Sequence, residues 1–213
     1  EKALDETVIF VKKELEKLKQ LKLEYDSKVK IAVDIDDTIL STKELEEHYW
    51  NIFLNNHPEI DKTKEYRWGD SELTLFWQEH REDMAFGKVK DGVSEAFEEM
   101  MKKNYIVDLL SARPLNKYAS LNKKLSEYFE ENNLIYSHMH LGFYSKTNFL
   151  VDHKYDVLID NELRHIESAN EKGIDTILYG PYNENYEGLQ TDDWSKIPLL
   201  IEQIIKQKKQ KVL

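Results

Sequence analysis

An α/β fold with a doubly wound, mostly parallel sheet is predicted by two observations. Short apolar runs recur along the chain, at 29–34, 105–110, 138–143, 155–159 and 174–178. Between most of them lie stretches of helical periodicity long enough to carry the chain back across a sheet. Strands separated by such helices imply right-handed crossovers and helices on both faces. With 213 residues, the chain has material for one ordinary domain plus a small insertion.

Taken in order, residues 1–28 read as a charged N-terminal helical extension. Leu4, Val8, Val11, Leu15, Leu18 and Tyr25 fall at alternating steps of four and three, with Lys22 interrupting the stripe. The simpler expectation is a helix laid on the flank of the main domain. The alternative is an arm that contacts a second copy or another partner. Val29 to Asp34 follows as a buried strand, then helical patterns at about 43–56 and 72–84 around a polar stretch with Pro58 and Gly69. From Asp91 the alternation is regular: helix 92–103, strand 105–110, a long helix near 115–131, strand 138–143, and a helix from Ser145. Strand 155–159 and helix 162–172, closed by Gly173, lead to strand 174–178 and a last helix from about 197. The core is therefore expected at 29–40 and 91–213, with the segment 41–90 inserted after the first strand.

Charge and composition exclude several classes. Thirty Lys and Arg against 41 Asp and Glu leave a net charge of −11, which disfavours nucleic-acid polymers and anionic lipid. No apolar run approaches the roughly 20 residues of a membrane span, and no signal-peptide core is visible, so a cytoplasmic location is expected. The absence of cysteine removes disulfides and thiolate chemistry. The chain starts at Glu1 rather than Met, as expected of a trimmed or excised chain.

Ligands of such sheets bind beyond the carboxyl ends of the strands, so the residues just past each strand matter most. The first strand delivers Asp34-Ile35-Asp36-Asp37-Thr38. Residues two apart share a face of extended chain, so Asp34 and Asp36 can point into one crevice. Their mutual repulsion invites a cation such as Mg²⁺, although adjacent acids also cap helices. The strand at 105–110 ends in Ser111-Ala112-Arg113-Pro114, where a hydroxyl and freed N–H groups suit phosphate oxygens and Pro114 suits the start of a helix. Lys146 stands at a helix start, an unfavourable place for a cation without an anion nearby. Strand 155–159 ends in Asp160-Asn161-Glu162.

In this order, and with Trp68-Gly69-Asp70, Phe76-Trp77 and Gly180-Pro181-Tyr182-Asn183, the chain resembles the haloacid dehalogenase (HAD) superfamily of phosphohydrolases over about residues 29–195. Within it, the 5′(3′)-deoxyribonucleotidases and related bacterial nucleotidases are the nearer likeness. The resemblance implies a Mg²⁺-dependent phosphomonoesterase, most simply a nucleotidase for (deoxy)nucleoside monophosphates. It makes Asp34 the nucleophile of an aspartyl-phosphate. Asp36 becomes the general acid and base, ligating metal through its backbone carbonyl. Thr38, Ser111 and Ala112 fall in the phosphate-binding motifs, Lys146 neutralises charge, and Asp34, Asp36 and Asp160 form the metal site. Asn161 stands where a second acid is common, and Lys154 competes with Lys146.

The resemblance also implies that 41–90 is a small helical cap. It holds Trp50, Trp68 and Trp77, three of the four tryptophans. Trp50 and Phe53 are expected in a small cap core, whereas Trp68, Phe76 or Trp77 would form a wall for a nucleobase. Two other readings stay open: a phosphatase of sugar phosphates or other small esters, and a non-catalytic scaffold that engages a partner through residues 1–28.

Overall fold

The computed structural model describes the backbone of residues 2–67, 69–115 and 119–211, and the side chains of 6–67, 69–115 and 119–210. Strands β1 (Lys30–Val33), β2 (Ile106–Ser111), β3 (Met139–Leu141), β4 (Val157–Asp160), β5 (Asp175–Tyr179) and β6 (Gln190–Thr191) form one sheet in the order β3-β2-β1-β4-β5-β6. Every pairing is parallel. The expected doubly wound α/β architecture is what forms.

Alternation along β1 shows why it lies in the middle. Ile31 and Val33 face one core, with Phe97 and Met100 of α4 (Val93–Lys102), Leu125 and Phe129 of α5 (Ala119–Glu131), and Ile201 of α8 (Ile197–Lys211). Ala32 faces the other, with Leu150 of α6 (Thr147–Asp152) and Ile166 and Ala169 of α7 (Leu163–Glu171). A strand apolar on both faces must be covered twice, which a parallel sheet with helices on each side achieves. β1 pairs with β2 on one side and β4 on the other, so the chain's winding reverses there. That reversal is the topological switch point where such sheets take ligands.

Two expectations about local structure need correction. β6 has only two residues, too few to leave an apolar pattern, and the sequence reading omits it. Pro114 does not open α5, which starts at Ala119.

The N-terminal helix, α1 (Lys2–Asp26), also departs from the flank-laid expectation. Among the described residues its apolar side chains from Val8 to Tyr25 stay in the open, Phe10 at 63% and Leu18 at 62% exposure. Its last turn is held: the Lys30 ammonium lies 4.7 Å from the centre of the Tyr25 ring, and the His138 ring meets that ring edge-on at 6.4 Å.

The inserted segment leaves and rejoins the core at one neck. Leu40 pairs antiparallel with Val89, Ser41 N–H donates to the Lys88 carbonyl (2.9 Å), and Lys90 N–H donates to that of Ile39 (2.8 Å). Gly87 is required there, because a Cβ would stand 2.7 Å from the Ser41 carbonyl oxygen. Beyond the neck, α2 (Thr42–Asn56) and α3 (Ser71–His80) enclose a separate small core of Phe53, Phe76 and Met84, with Trp50 and Tyr66 against it.

Candidate active site

Asp34 is the first residue past β1, and its N–H still donates to the Ile159 carbonyl of β4 (2.9 Å), which fixes it at the switch point. Its side chain is buried, and so is that of Asp160 at the end of β4. Between them sits Lys146, just before α6 and only 2% exposed, with Nζ 2.5 Å from Asp34 Oδ1 and 2.6 Å from Asp160 Oδ2. Lys154 is on the surface, after α6. Of the two lysines, Lys146 is the one in contact with these carboxylates. Burial would depress the lysine pKa, but the two carboxylates outweigh it and hold the ammonium charged. Asp34 moves the other way: burial lifts it well above the usual carboxylate range against Lys146, and Asp160 and Asp36 add to the rise.

The turn after Asp34 divides three acids among three tasks. Asp37, at φ +58°, turns its carboxylate onto the start of α2, accepting from Thr42 N–H (3.0 Å) and Lys43 N–H (2.7 Å). The capping reading thus holds for Asp37. Asp36 faces Arg113 instead. Arg113 Nε donates to its Oδ2 (2.9 Å) and Nη2 to its Oδ1 (2.7 Å), and Thr42 Oγ1 donates to Oδ1 (2.7 Å). Burial would raise the Asp36 pKa, but Arg113 and Thr42 carry it below its ordinary value.

The side chains of the three acids are thus held by different partners. The bidentate guanidinium holds the Asp36 carboxylate away, and only Asp34 and Asp160 meet, through Lys146. Among the described residues, the three acids do not gather within coordination reach.

Thr38 is fully buried behind Asp34 rather than on the cleft wall. Its hydroxyl donates to Asp34 Oδ2 (3.1 Å) and accepts from Asn161 N–H (3.1 Å), so it orients the carboxylate. Ser111 ends β2, buried, with Oγ accepting from Arg113 N–H (3.2 Å). Ser111 and Ala112 both line a cleft of about 330 Å³ with Asp34, Asp36 and Lys146. That volume is at the lower end for small-molecule sites.

The inserted segment supplies Glu46, Trp77 and Arg81 to the same cleft, while Tyr144 and Arg164 flank it from the core. The Arg81 guanidinium lies over the Trp77 ring at 4.9 Å, and that of Arg164 over Tyr144 at 4.7 Å. Phe76 is not a wall. It is fully buried, packed at 5.0 Å edge-on to Trp50 and 5.5 Å from Phe53. Adjacent helical residues point about 100° apart, so only Trp77 of that pair reaches the cleft. Trp68 lies outside the described residues. Sequence reading gave no role to Arg113, although an arginine two residues past a strand-end serine is a signal for one. It left Tyr144, Arg164 and Glu46 unmarked, since nothing local distinguishes them from surface residues.

Comparison with protein-family profiles finds no match, and none is found among curated proteins. Solved structures do match. A haloacid dehalogenase-like family hydrolase from Xanthomonas campestris superposes with a TM-score of 0.61 at 15% identity, covering 86% of this chain and 98% of that one. The chain has the haloacid dehalogenase fold. Bacillus subtilis YfnB, described as a HAD hydrolase and solved bound to magnesium, aligns at TM-score 0.57 and 12% identity over 82% of this chain and 98% of its own. CbbY from Rhodobacter sphaeroides, solved with xylulose-1,5-bisphosphate, aligns at 0.54 and 11% identity over 78% and 95%. In HAD-fold terms the Asp34–Lys146–Asp160 cluster lies at the sheet's switch point, with the insertion leaving directly after the first strand. No described helix is long and apolar enough to cross a membrane.

Proposed function

We propose that this chain is a Mg²⁺-dependent phosphomonoesterase of small metabolites, working through a phosphoaspartate on Asp34 with the 41–90 segment as its cap. The observation that carries this reading is the buried Asp34–Lys146–Asp160 cluster at the β1–β4 switch point, with Asp36 two residues on. Three buried or half-buried carboxylates there face two cations, Lys146 and Arg113, leaving one excess negative charge. Burial raises the pKa of Asp34, and the neighbouring Asp160 and Asp36 add to the rise. Asp34 and Asp160 suit Mg²⁺, which favours one or two carboxylates completed by water and phosphate oxygens. When bound, the ion would supply the charge that lets a phosphate dianion approach a carboxylate.

The residues then divide the work. An Asp34 carboxylate oxygen attacks phosphorus, the ester bond to the alcohol breaks, and the leaving oxygen takes a proton from Asp36. Asp36, now a carboxylate, removes a proton from water; the hydroxide attacks the phosphoaspartate, which releases phosphate and restores Asp34. Positioning and charge neutralisation supply most of the acceleration in such transfers. Asp36 clamped by Arg113 is in its basic form, so Arg113 must loosen before Asp36 can donate. Arg113→Lys keeps the charge but loses the two-pronged grip. It should lower kcat about 10²-fold with KM nearly unchanged, since an imprecisely held general base costs on that order. Steady-state kinetics on an aryl phosphate would check this.

Two substrate classes are consistent with this reading. Trp77 offers a flat apolar face for a nucleobase, which supports the nucleotidase reading. The similarity to CbbY with its bound sugar bisphosphate supports sugar phosphates equally. A panel of ribo- and deoxynucleoside monophosphates and sugar phosphates separates them. Trp77→Ala should raise KM for a nucleotide about 3–10-fold, the equivalent of one ring-stacking contact, and leave sugar phosphates unaffected. No turnover of any ester with Mg²⁺ present, in a folded protein, would favour the scaffold reading, for which the exposed α1 stripe offers a contact surface. The cytoplasm remains the expected location.

A further inference from the structure

We propose that Asp108, His138 and His140 form a second metal site, for a zinc-class divalent ion, which fastens the short edge strand β3 to β2. Asp108 lies inside β2 with a side chain only 2% exposed, an unusual place for an acid in a strand. Among the described residues no lysine or arginine pairs with it. Its neighbours are two imidazoles and a phenol: His138 Nδ1 at 2.8 Å from Oδ1, His140 Nε2 at 3.7 Å from Oδ2, and Tyr155, whose hydroxyl donates to Oδ2 at 2.5 Å.

A hydrogen-bonded box explains His138 and Tyr155, while His140 Nε2 stands at ion-pair distance, 3.7 Å, from the same carboxylate, with its ring 4.9 Å from that of Phe149. A shared ion accounts for all three. One ligand atom from each of Asp108, His138 and His140 lies within 4.8 Å of the others. With bonds of about 2.0–2.1 Å, a tetrahedral zinc site has ligand–ligand edges of about 3.4 Å; His138 lies 2.8 Å from one Asp108 oxygen and His140 3.7 Å from the other. His138 and His140 alternate along the chain, so both face Asp108 from one side of the strand. Two imidazoles and one carboxylate match zinc better than Mg²⁺, which prefers oxygen.

The surroundings complete such a site. The Tyr155 hydroxyl orients the carboxylate from outside the coordination sphere, as ligating carboxylates are commonly held. His138 is 51% and His140 31% exposed, giving an ion a path in and leaving a position for water. Asp108 precedes Ser111 by three residues, about 10 Å along the strand, so the site is separate from the cleft. The proposal does not rest on the phosphatase reading.

The test uses the whole chain, stripped with chelator and returned to excess Mg²⁺ so that hard-oxygen sites are served. Zn²⁺ titrated by calorimetry should bind at about one equivalent. Thermal unfolding should shift upward by about 5–10 °C once free Zn²⁺ reaches about a hundred times Kd. His138→Ala and His140→Ala should each weaken Zn²⁺ binding at least about tenfold and reduce the Zn²⁺-induced rise in unfolding temperature, read against each variant's own Mg²⁺-only value. Co²⁺ in place of Zn²⁺ should give visible absorption in the wild type that the double variant lacks. The proposal falls if Zn²⁺ leaves the unfolding temperature unmoved, or if the double variant binds Zn²⁺ as tightly as the wild type.

Discussion

Lys146→Met should destabilise the fold by about 3–5 kcal/mol in chelator, a fall of about 6–20 °C in unfolding temperature, and abolish turnover. The magnitude follows from what the substitution leaves behind. Asp34 and Asp160 are both buried and both lean on this one ammonium, at 2.5 and 2.6 Å. Removing one partner of a buried ion cluster exposes the others' desolvation penalty in full, which exceeds the net worth of the interaction. Methionine fills nearly the same volume, so the effect isolates charge from packing. Excess Mg²⁺ should return part of the lost stability, since a divalent cation can neutralise the same carboxylates, but it should not restore turnover. Lys154→Met is the control: its side chain is at the surface, and substitutions there usually fall within about 0.5 kcal/mol. Equal losses for the two variants in denaturant melts would overturn the assignment of Lys146.

Particular residues show how far the sequence carries. Asp34, Ser111 and Asp160 were legible because each ends an apolar run, and the carboxyl end of a parallel strand is fixed by sheet topology alone. Lys146 was legible for an electrostatic reason, a cation at a helix start that calls for an anion. The partner of Asp36 was not. Arg113 lies 77 residues away and reaches Asp36 only once β1 and β2 pair in register. Phe76 and Trp77 illustrate a second limit: periodicity places both on α3, but which one turns inward depends on how the insertion packs against itself. The exposed stripe of α1 is a third. Spacing reveals an apolar face without revealing whether this chain contains anything to cover it. The cluster at Asp108 escaped notice for a similar reason, since its acid and its histidines sit on different strands.

Asp34→Asn is expected to lower turnover by at least about 10⁴-fold, the scale of losing a nucleophile. It should do so without weakening the fold. In chelator its unfolding temperature should equal or exceed that of the wild type at neutral pH. The sign follows from the raised pKa of Asp34, which burial causes and the neighbouring acids reinforce. A carboxylate whose folded pKa lies above its unfolded value binds its proton more tightly when folded. Its ionisation therefore drains stability as pH rises from about 4 toward its folded pKa, the reverse of a salt-bridged acid with a depressed value. Asparagine cannot ionise, and Lys146 keeps Asp160 as its partner at 2.6 Å. The unfolding-temperature gap between variant and wild type should then widen from pH 5 to pH 8 in chelator. Mg²⁺ should narrow it, because the ion stabilises the carboxylate form that only the wild type has. Turnover retained by Asp34→Asn would refute the covalent route. A gap that shrinks with rising pH would refute the raised pKa of the buried Asp34 carboxyl.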